Sequence, residues 1–430
     1  MKTQTAGNAT RIIIAVTLLA LAVALFLMSV SSPTQASDPP LPRVVLIEEA
    51  YQKGRISYET ALLYKVYSMF DPQRLPLEYQ SSTPGKCATP ILQEVRRNWE
   101  TLSPQVKGEL AAYPTLLSRP SLSGPELTYR TAHFQIHFTN SGWDAVNPAD
   151  TNGNGIPDYI EMMGAELEHV WNTELDAMGW LQPPSDRTVD GDADCDVYVE
   201  DMSYYGYTAA DGKADQGAQL GDNENSPGII ELNAWYSHIV LENDYYGGFS
   251  CAPLDCIKVT AAHEFNHAIQ FGYDAWEETW LMEATATWME DEVYDYVNDN
   301  LDYLPYYFDD PDLCLPSTIP YRPNRWYSDW ILVRFVSEHY GGQSTVRSVW
   351  EHSVNYDSFR GYHAFDTHED ALNGIGTSLP TVFASFTAAN YVMSTCPTNA
   401  PYCYEEAGLY PRVHVEGNVD FDGQATHYQP

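Results

Sequence analysis

The chain has 430 residues, of which 44% are hydrophobic, so it can bury a substantial core and is not a disordered protein. Its 59 acidic residues outweigh 22 basic ones and give a formal charge of −37. This balance excludes the usual nucleic-acid-binding surface, which needs clustered Lys and Arg, and favours solubility and cation binding.

The N-terminus has the pattern of an export signal. Lys2 and Arg11 precede an apolar run over residues 12–28, and a small-residue stretch ends at Ala36. We expect residues 1–36 to be a signal peptide cleaved after Ala36 or, because the run is long, an N-terminal membrane anchor that is not cleaved. Either outcome predicts a secreted protein or one held at the cell surface.

Seven cysteines in an exported chain predict disulfide bonds. Cys251 and Cys256 are close enough in sequence to close a small loop, and so are Cys396 and Cys403. The pairing of Cys87, Cys195 and Cys314 stays open. Because the total is odd, at least one of these thiols has no partner within the chain.

Residues 44–70 and 90–113 place apolar side chains at helical spacing and predict a helical N-terminal region, residues 37–125, that could serve as a propeptide or cap. A Pro/Ser/Gly-rich linker is expected at 118–126. The main domain, 126–410, is predicted to contain strands at 134–138, 195–201 and 228–233, and helices at 159–178, 257–271, 280–294, 327–340 and 343–354. Residues 411–430 resemble a short β-type tail, and the whole pattern predicts an α+β fold.

The segment DTNGNGIPDYIE, residues 150–161, matches the twelve-residue calcium loop. Gly155 occupies position 6, and Ile156 can offer its carbonyl at position 7. Oxygen-bearing side chains stand at positions 1, 3, 5, 9 and 12 of the loop: Asp150, Asn152, Asn154, Asp158 and Glu161. We expect a structural Ca²⁺ ion here; the alternative is an Asx/Gly-rich turn that caps the following helix.

The segment TAAHEFNHAIQ contains H-E-x-x-H. On a helix, His263 and His267 lie one turn apart on the same face, where both can bind one metal ion. Glu264 lies on the flank of that face and can act as a general base without being a ligand. Chance alone can produce this motif, so a third ligand is needed to support it.

The predicted helix at 280–294 supplies that candidate. Glu283 stands in an otherwise uncharged run beside small alanines, which would let two helices approach closely. The alternative is a solvated helix residue, as we expect for Glu290, Asp291 and Glu292.

H-E-x-x-H followed by W-L-x-E-A-x-A resembles the gluzincin metallopeptidases, the superfamily of thermolysin and the zinc aminopeptidases. The two segments together are similar to a largely uncharacterised family of secreted bacterial metalloproteases. The resemblance implies a zincin-like catalytic domain at 126–410, Zn²⁺ on His263, His267 and Glu283, and Glu264 as the base that deprotonates the attacking water.

The same resemblance implies a Tyr or His that stabilises the oxyanion. The segment WYSDWILVRFVSEHYGG nominates Tyr327, with His339 and Tyr321 as rivals. Where thermolysin has an Asp that orients a ligand histidine, this chain has Thr287, so the orienting group is not identified.

The expected function is therefore a secreted zinc-dependent peptidase, an endopeptidase more than an aminopeptidase, with protein or peptide substrates and no nucleic-acid partner. The alternative is a non-catalytic, calcium-stabilised surface or adhesion module that inherited the zinc helix. An intact set of His263, Glu264, His267 and Glu283 favours the enzyme.

Overall fold

The computed structural model describes residues 41–316, 324–396 and 401–413. The predicted export signal, the rival Tyr321 and nearly all of the predicted β-type tail lie outside these residues. One compact unit begins at Leu41. None of the helices in the described ranges combines the length and hydropathy needed to cross a membrane.

The strands form one six-stranded mixed sheet in the order β1-β5-β6-β4-β3-β2. Their bounds are β1 Gly85–Cys87, β2 Leu127–Arg130, β3 Phe134–Phe138, β4 Cys195–Glu200, β5 Tyr204–Lys213 and β6 Trp235–Glu242. The pairs β2/β3 and β5/β6 are antiparallel, whereas β1/β5, β3/β4 and β4/β6 are parallel.

Helices precede, interrupt and follow the sheet. In chain order they are α1 Arg43–Gln52, α2 Tyr58–Phe70, α3 Thr89–Asn98, α4 Pro104–Leu110, α5 Asp158–Trp171, α6 Arg187–Asp190, α7 Pro253–Asp274, α8 Thr279–Tyr294, α9 Leu304–Phe308, α10 Arg325–Ser328, α11 Trp330–His339, α12 Gln343–Ser353, α13 Ala364–Gly374 and α14 Leu379–Val392. With about 48% helix and 11% strand, the predicted α+β class is confirmed.

Both faces of the sheet are covered by helices. Side chains alternate along each strand, so each strand contributes to the core on both faces. Val197 and Val199 on β4 enter the main core with α5 and α7, whereas Tyr198 between them belongs to a second cluster on the opposite face. That second cluster contains buried residues of α2 and α3, such as Leu62 and Leu92. The N-terminal helices therefore share a hydrophobic core with the sheet.

The strand predicted at 228–233 is wrong; the strand in this part of the chain, β6, begins at Trp235. Side chains fix residues 228–233 as a loop. Asp222 accepts a hydrogen bond from the backbone N–H of Glu231, and the Glu231 carboxylate accepts one from that of Asn223. Two of the apolar side chains that prompted the prediction, Ile230 and Leu232, lie exposed on this loop. Hydrogen bonds from side chains to the backbone thus satisfy groups that a strand would have paired with a neighbouring strand.

The segment predicted as a linker, 118–126, is tied to the sheet at its start. Arg119 forms ion pairs with Asp186, with Asp196 on β4 and with Asp211 on β5. All three carboxylates are at least nine-tenths buried. The part of the chain before Arg119 and the part after it are therefore joined at a fixed point on the sheet.

Candidate metal centre and active site

Helices α7 and α8 bring the three predicted zinc ligands together. The Nε2 atoms of His263 and His267 are 3.1 Å apart. The Glu283 carboxylate faces both rings, with Oε2 at 3.3 Å from His263 Nε2 and Oε1 at 3.3 Å from His267 Nε2. Ala284 and Ala286 are fully buried, and their small side chains allow the two helices to pack closely. All three ligand candidates are shielded from solvent by this packing.

A fourth donor reaches the same point from the N-terminal region. Cys87 Sγ, at the end of β1, lies 3.5 Å from His267 Nε2. One donor atom from each of the four residues lies within 4.8 Å of the others. Cys87 is one of the three thiols whose role the sequence left open, and it is separated from His267 by 180 residues. No local pattern around Cys87 indicates this contact.

These distances fit the edges of a zinc coordination tetrahedron. Bonds of about 2.0 Å to nitrogen or oxygen and about 2.3 Å to sulfur place donors about 3.3 Å apart, or about 3.6 Å for a sulfur–nitrogen edge. The observed edges of 3.1, 3.3 and 3.5 Å agree with these values. A Cys-His₂-Glu set also combines the donor types that zinc prefers.

The outer nitrogen of each ring is held by a neighbouring side chain. Glu290 Oε1 lies 2.7 Å from His263 Nδ1, and Gln270 Oε1 lies 2.8 Å from His267 Nδ1. A proton on Nδ1 donated to these oxygens leaves the Nε2 lone pair free to bind metal. These two residues do the work of the orienting group that the sequence left unidentified.

The expectation that Glu290, Asp291 and Glu292 are solvated is wrong, because their side chains are only 1%, 0% and 10% exposed. The contact of Glu290 bears on the site. Lys86 Nζ, 2.8 Å from Glu290 Oε2, supplies the charge partner that permits its burial. A signal for Glu290 does exist in the sequence. It stands seven residues after Glu283, two helical turns along the same face of α8.

The charges within the cluster are arranged as expected for a cation site. Burial would lower the pKa of His263, but hydrogen bonds to Glu283 and Glu290 raise it to about 10. Burial would raise the pKa of Glu283, but the facing imidazoles of His267 and His263 lower it to about 2. The site therefore favours positive charge at its centre.

Glu264 lies beside the ligands with one oxygen engaged. Its Oε2 accepts a hydrogen bond from Thr208 Oγ1 at 2.8 Å and from Thr89 Oγ1 at 3.3 Å. Its Oε1 is buried and has no hydrogen-bond partner among the described residues. Burial raises the pKa of this carboxyl. One carboxylate oxygen is therefore available to take up a proton.

Tyr327, on α10, also reaches the centre. Its ring centroid is 6.2 Å from that of His263. Its hydroxyl accepts a hydrogen bond from the Cys87 backbone N–H at 3.3 Å and lies 3.4 Å from the Cys87 carbonyl, to which it can donate. The rival His339 points elsewhere, because its Nε2 donates to the Cys403 carbonyl at 2.8 Å.

The predicted calcium-loop residues fold into one exposed turn before α5. The Asp150 carboxylate accepts hydrogen bonds from backbone N–H groups at 153, 154 and 155. Glu161 accepts from the side-chain amides of Asn152 and Asn154 at 2.8 and 2.6 Å. Asp158 instead accepts from Thr151.

Gly155 has a φ of +89°, a conformation that glycine adopts freely and that the sharp turn at position 6 needs. The predicted Ile156 carbonyl lies in the same turn.

Both predicted disulfides are confirmed: Cys251–Cys256 and Cys396–Cys403. In the described part of the chain Cys87, Cys195 and Cys314 are not in disulfides.

A cavity of about 760 Å³ adjoins the centre. Its lining includes Cys87 and Tyr327 of the centre, Ile91 of α3, Trp280 and Trp326. Its mixed aromatic and polar lining is typical of a substrate cleft.

Neither a comparison with protein-family models nor a search of curated proteins returned a match to this chain. The chemistry of the site therefore rests on its own geometry.

Proposed function

We propose that this protein is a zinc-dependent peptidase of the gluzincin type, with a zincin-like catalytic domain, that acts as an endopeptidase on protein or peptide substrates. The observation that carries the proposal is the position of Glu264. A buried carboxylate with one unpartnered oxygen stands beside three metal-ligand candidates. A purely structural metal site has no need of such a group, whereas hydrolysis requires a proton acceptor there.

Each residue of the site then has a separate role in hydrolysis. Bound zinc supplies Lewis-acid chemistry, which lowers the pKa of water and polarises the substrate carbonyl. Glu264 takes a proton from the attacking water at Oε1 and returns it to the leaving amine. The Tyr327 hydroxyl donates a hydrogen bond to the developing oxyanion. Glu290 and Gln270 keep the two imidazoles in place through their Nδ1 atoms.

The test replaces Glu264 with Gln and measures bound zinc and casein hydrolysis. Because Cys87 fills the fourth donor position, the comparison uses the Cys87→Ala background, in which that position is open. We expect Cys87→Ala to bind zinc and hydrolyse casein in a chelator-sensitive way, and Cys87→Ala/Glu264→Gln to bind zinc without hydrolysis. Hydrolysis that survives Glu264→Gln would rule out this assignment of the base.

One observation favours the non-catalytic alternative. Four protein ligands make a closed set, which is the pattern of structural zinc sites. On that view the chain is a calcium-stabilised surface or adhesion module. A Cys87→Ala protein that keeps zinc but hydrolyses nothing would support it.

We also propose that residues 150–161 bind a structural Ca²⁺ ion. The support is the convergence of Asn152, Asn154 and Glu161. The amide nitrogens of the two asparagines donate to the Glu161 carboxylate at 2.8 and 2.6 Å, while their amide oxygens accept backbone N–H groups of the same loop, so all three side chains are directed into one turn. Six to eight oxygen ligands are what Ca²⁺ takes.

Export is proposed as well. Two disulfides form most readily in an oxidising compartment, and the N-terminal sequence supplies the signal.

A further inference from the structure

Residues 86–89 contact, in one short stretch, each group that the proposed mechanism uses. Cys87 Sγ lies among the metal ligands, and its peptide N–H and carbonyl face the Tyr327 hydroxyl. Two residues on, Thr89 Oγ1 is 3.3 Å from the Glu264 carboxylate. The metal-ligand candidates, the base and the oxyanion donor are thus all contacted by one segment, whose Thr89 lies 175 residues before Glu264.

From this convergence we propose that Cys87 is the fourth ligand of the metal and that residues 86–89 occupy the place of the substrate, so that the chain folds as a latent peptidase. The proposal rests on the proposed function. The fourth position, which a catalytic zinc leaves for water or substrate, is filled here by sulfur.

The surroundings of the sulfur fit a metal-bound thiolate. Its Sγ accepts a hydrogen bond from the Thr89 backbone N–H at 3.3 Å. Hydrogen bonds of this kind support coordinating groups at metal sites. Glu264 Oε1, on the adjoining base, is buried and has no hydrogen-bond partner among the described residues.

The segment is held firmly in this position. Strand β1 pairs with β5 in parallel, with Gly85 opposite Tyr204 and Cys87 opposite Gly206. Next to the cysteine, Lys86 is buried and forms ion pairs with Glu290 and Asp299. Since Glu290 also orients His263, the segment is coupled to the ligand set itself. Removing either partner of such a buried pair would leave an uncompensated charge in the core, so the closed arrangement is not a loose contact.

Access to the centre is blocked while this segment remains. His263, His267, Glu283 and Glu264 are each at most 1% exposed, and Cys87 is 4% exposed. A peptide bond cannot reach Glu264 unless Cys87 and Thr89 move. Activity therefore requires Cys87 and Thr89 to leave the metal ligands and the base. Loss of the Cys87 sulfur removes the contact that competes with substrate, and cleavage of the chain ahead of the Arg119 anchor, at the exposed Leu117, offers a route to full release of β1.

The first arm of the test identifies the ligand by spectroscopy. The full chain is loaded with Co²⁺ in place of zinc, and the thiolate-to-cobalt charge-transfer absorption is recorded. We expect the band in the wild type and in Cys314→Ser, which removes an exposed thiol away from the site, and its loss in Cys87→Ala and Cys87→Ser. A wild-type spectrum without the band overturns Cys87 as a ligand, and this reading needs no Cys87 variant to fold.

The second arm measures latency. At equal zinc content, casein hydrolysis by Cys87→Ala should exceed that of the intact wild type at least about tenfold, the change expected when 1.4 kcal/mol of competing binding is removed. A wild type as active as Cys87→Ala overturns latency and leaves the peptidase function standing. Zinc-loaded Cys87→Ala that is inactive both intact and after proteolytic cleavage at Leu117 contradicts the peptidase function, while activity that appears only after cleavage supports latency; the cobalt band decides separately whether Cys87 is a ligand.

Discussion

At the scale of single residues, the hydrogen bonds at the Nδ1 atoms of the two histidines distinguish this candidate metal centre from a chance pair of histidines. His263 and His267 each offer Nε2 to one point because Glu290 and Gln270 hold their Nδ1 atoms. Without these oxygens each ring could flip or carry its proton on the inner nitrogen. Metal binding by the two histidines is therefore expected to depend on Glu290 and Gln270 as well.

We expect Glu290→Gln to weaken zinc binding by about 10–100-fold, the usual cost of altering such a partner. The amide accepts a weaker hydrogen bond from His263 than the carboxylate does. Competition with a chromophoric chelator measures the affinity. Glu292→Gln on the same helix, whose partners are Arg334 and Gln343, is the matched control. Equal zinc affinity in the two variants would contradict the orienting role of Glu290.

Glu277 predicts a pH dependence of stability. Burial, with Asp274 and Glu278 nearby, raises its pKa from the ordinary 4.5 to about 8. Between these values the folded state holds a proton that the unfolded state has released, so this residue's contribution to stability is present at low pH and is lost as pH rises toward 8.

Glu277→Gln cannot ionise, so the variant should gain stability relative to the wild type as pH rises from about 5 to about 9, by on the order of 1 kcal/mol per pH unit near the middle of the range. Melting curves across this range measure the difference. The exposed Glu100→Gln serves as control and should follow the wild type at every pH. A Glu277→Gln profile parallel to the wild type would show that the carboxyl titrates normally.

At the scale of elements, the calcium loop is the clearest independent unit. In chelator-treated protein, about 1 mM Ca²⁺ should raise stability by about 1.4 kcal/mol if the site has a Kd of about 0.1 mM, which shifts Tm by a few degrees. Glu161→Gln should abolish the shift, because it removes the carboxylate at position 12. Asp176→Asn, an exposed substitution beyond α5, should leave it intact. A shift that persists in Glu161→Gln would place the ion elsewhere.

Elements with strong periodicity could be predicted, and short or unpatterned ones could not. The helices at α7, α8 and α12 lie where apolar spacing places them, since a repeated apolar face is recorded in the local sequence. Strand β3 coincides with the predicted residues 134–138. Strand β1 has only three residues, and it exists because β5 lies beside it.

At the scale of the whole molecule, the N-terminal helices and the sheet should unfold together. Leu92→Ala opens a cavity in the cluster that α3 shares with Tyr204, Tyr207 and Val240 of the sheet. We expect a loss of about 2–5 kcal/mol and faster hydrogen exchange in β5 as well as in α3. Mass spectrometry of exchanged peptides locates the effect.

The control for this prediction is Leu117→Ala, whose side chain is 53% exposed; its effect should stay within about 0.5 kcal/mol. Faster exchange in Leu92→Ala that is confined to residues 41–116 would mean that this region folds independently of the sheet.

The sequence by itself determined what is local: the α+β class, the spacing of His263 and His267 on one helical face, and two disulfides between cysteines close in the chain. Helical periodicity and short loop closure need no distant partner. Only the tertiary structure decided that Cys87 lies among the candidate metal ligands and that Glu290 is buried behind His263. Those contacts depend on how β1 pairs with β5 and how α7 packs on α8, and such pairings leave no periodic trace in either segment.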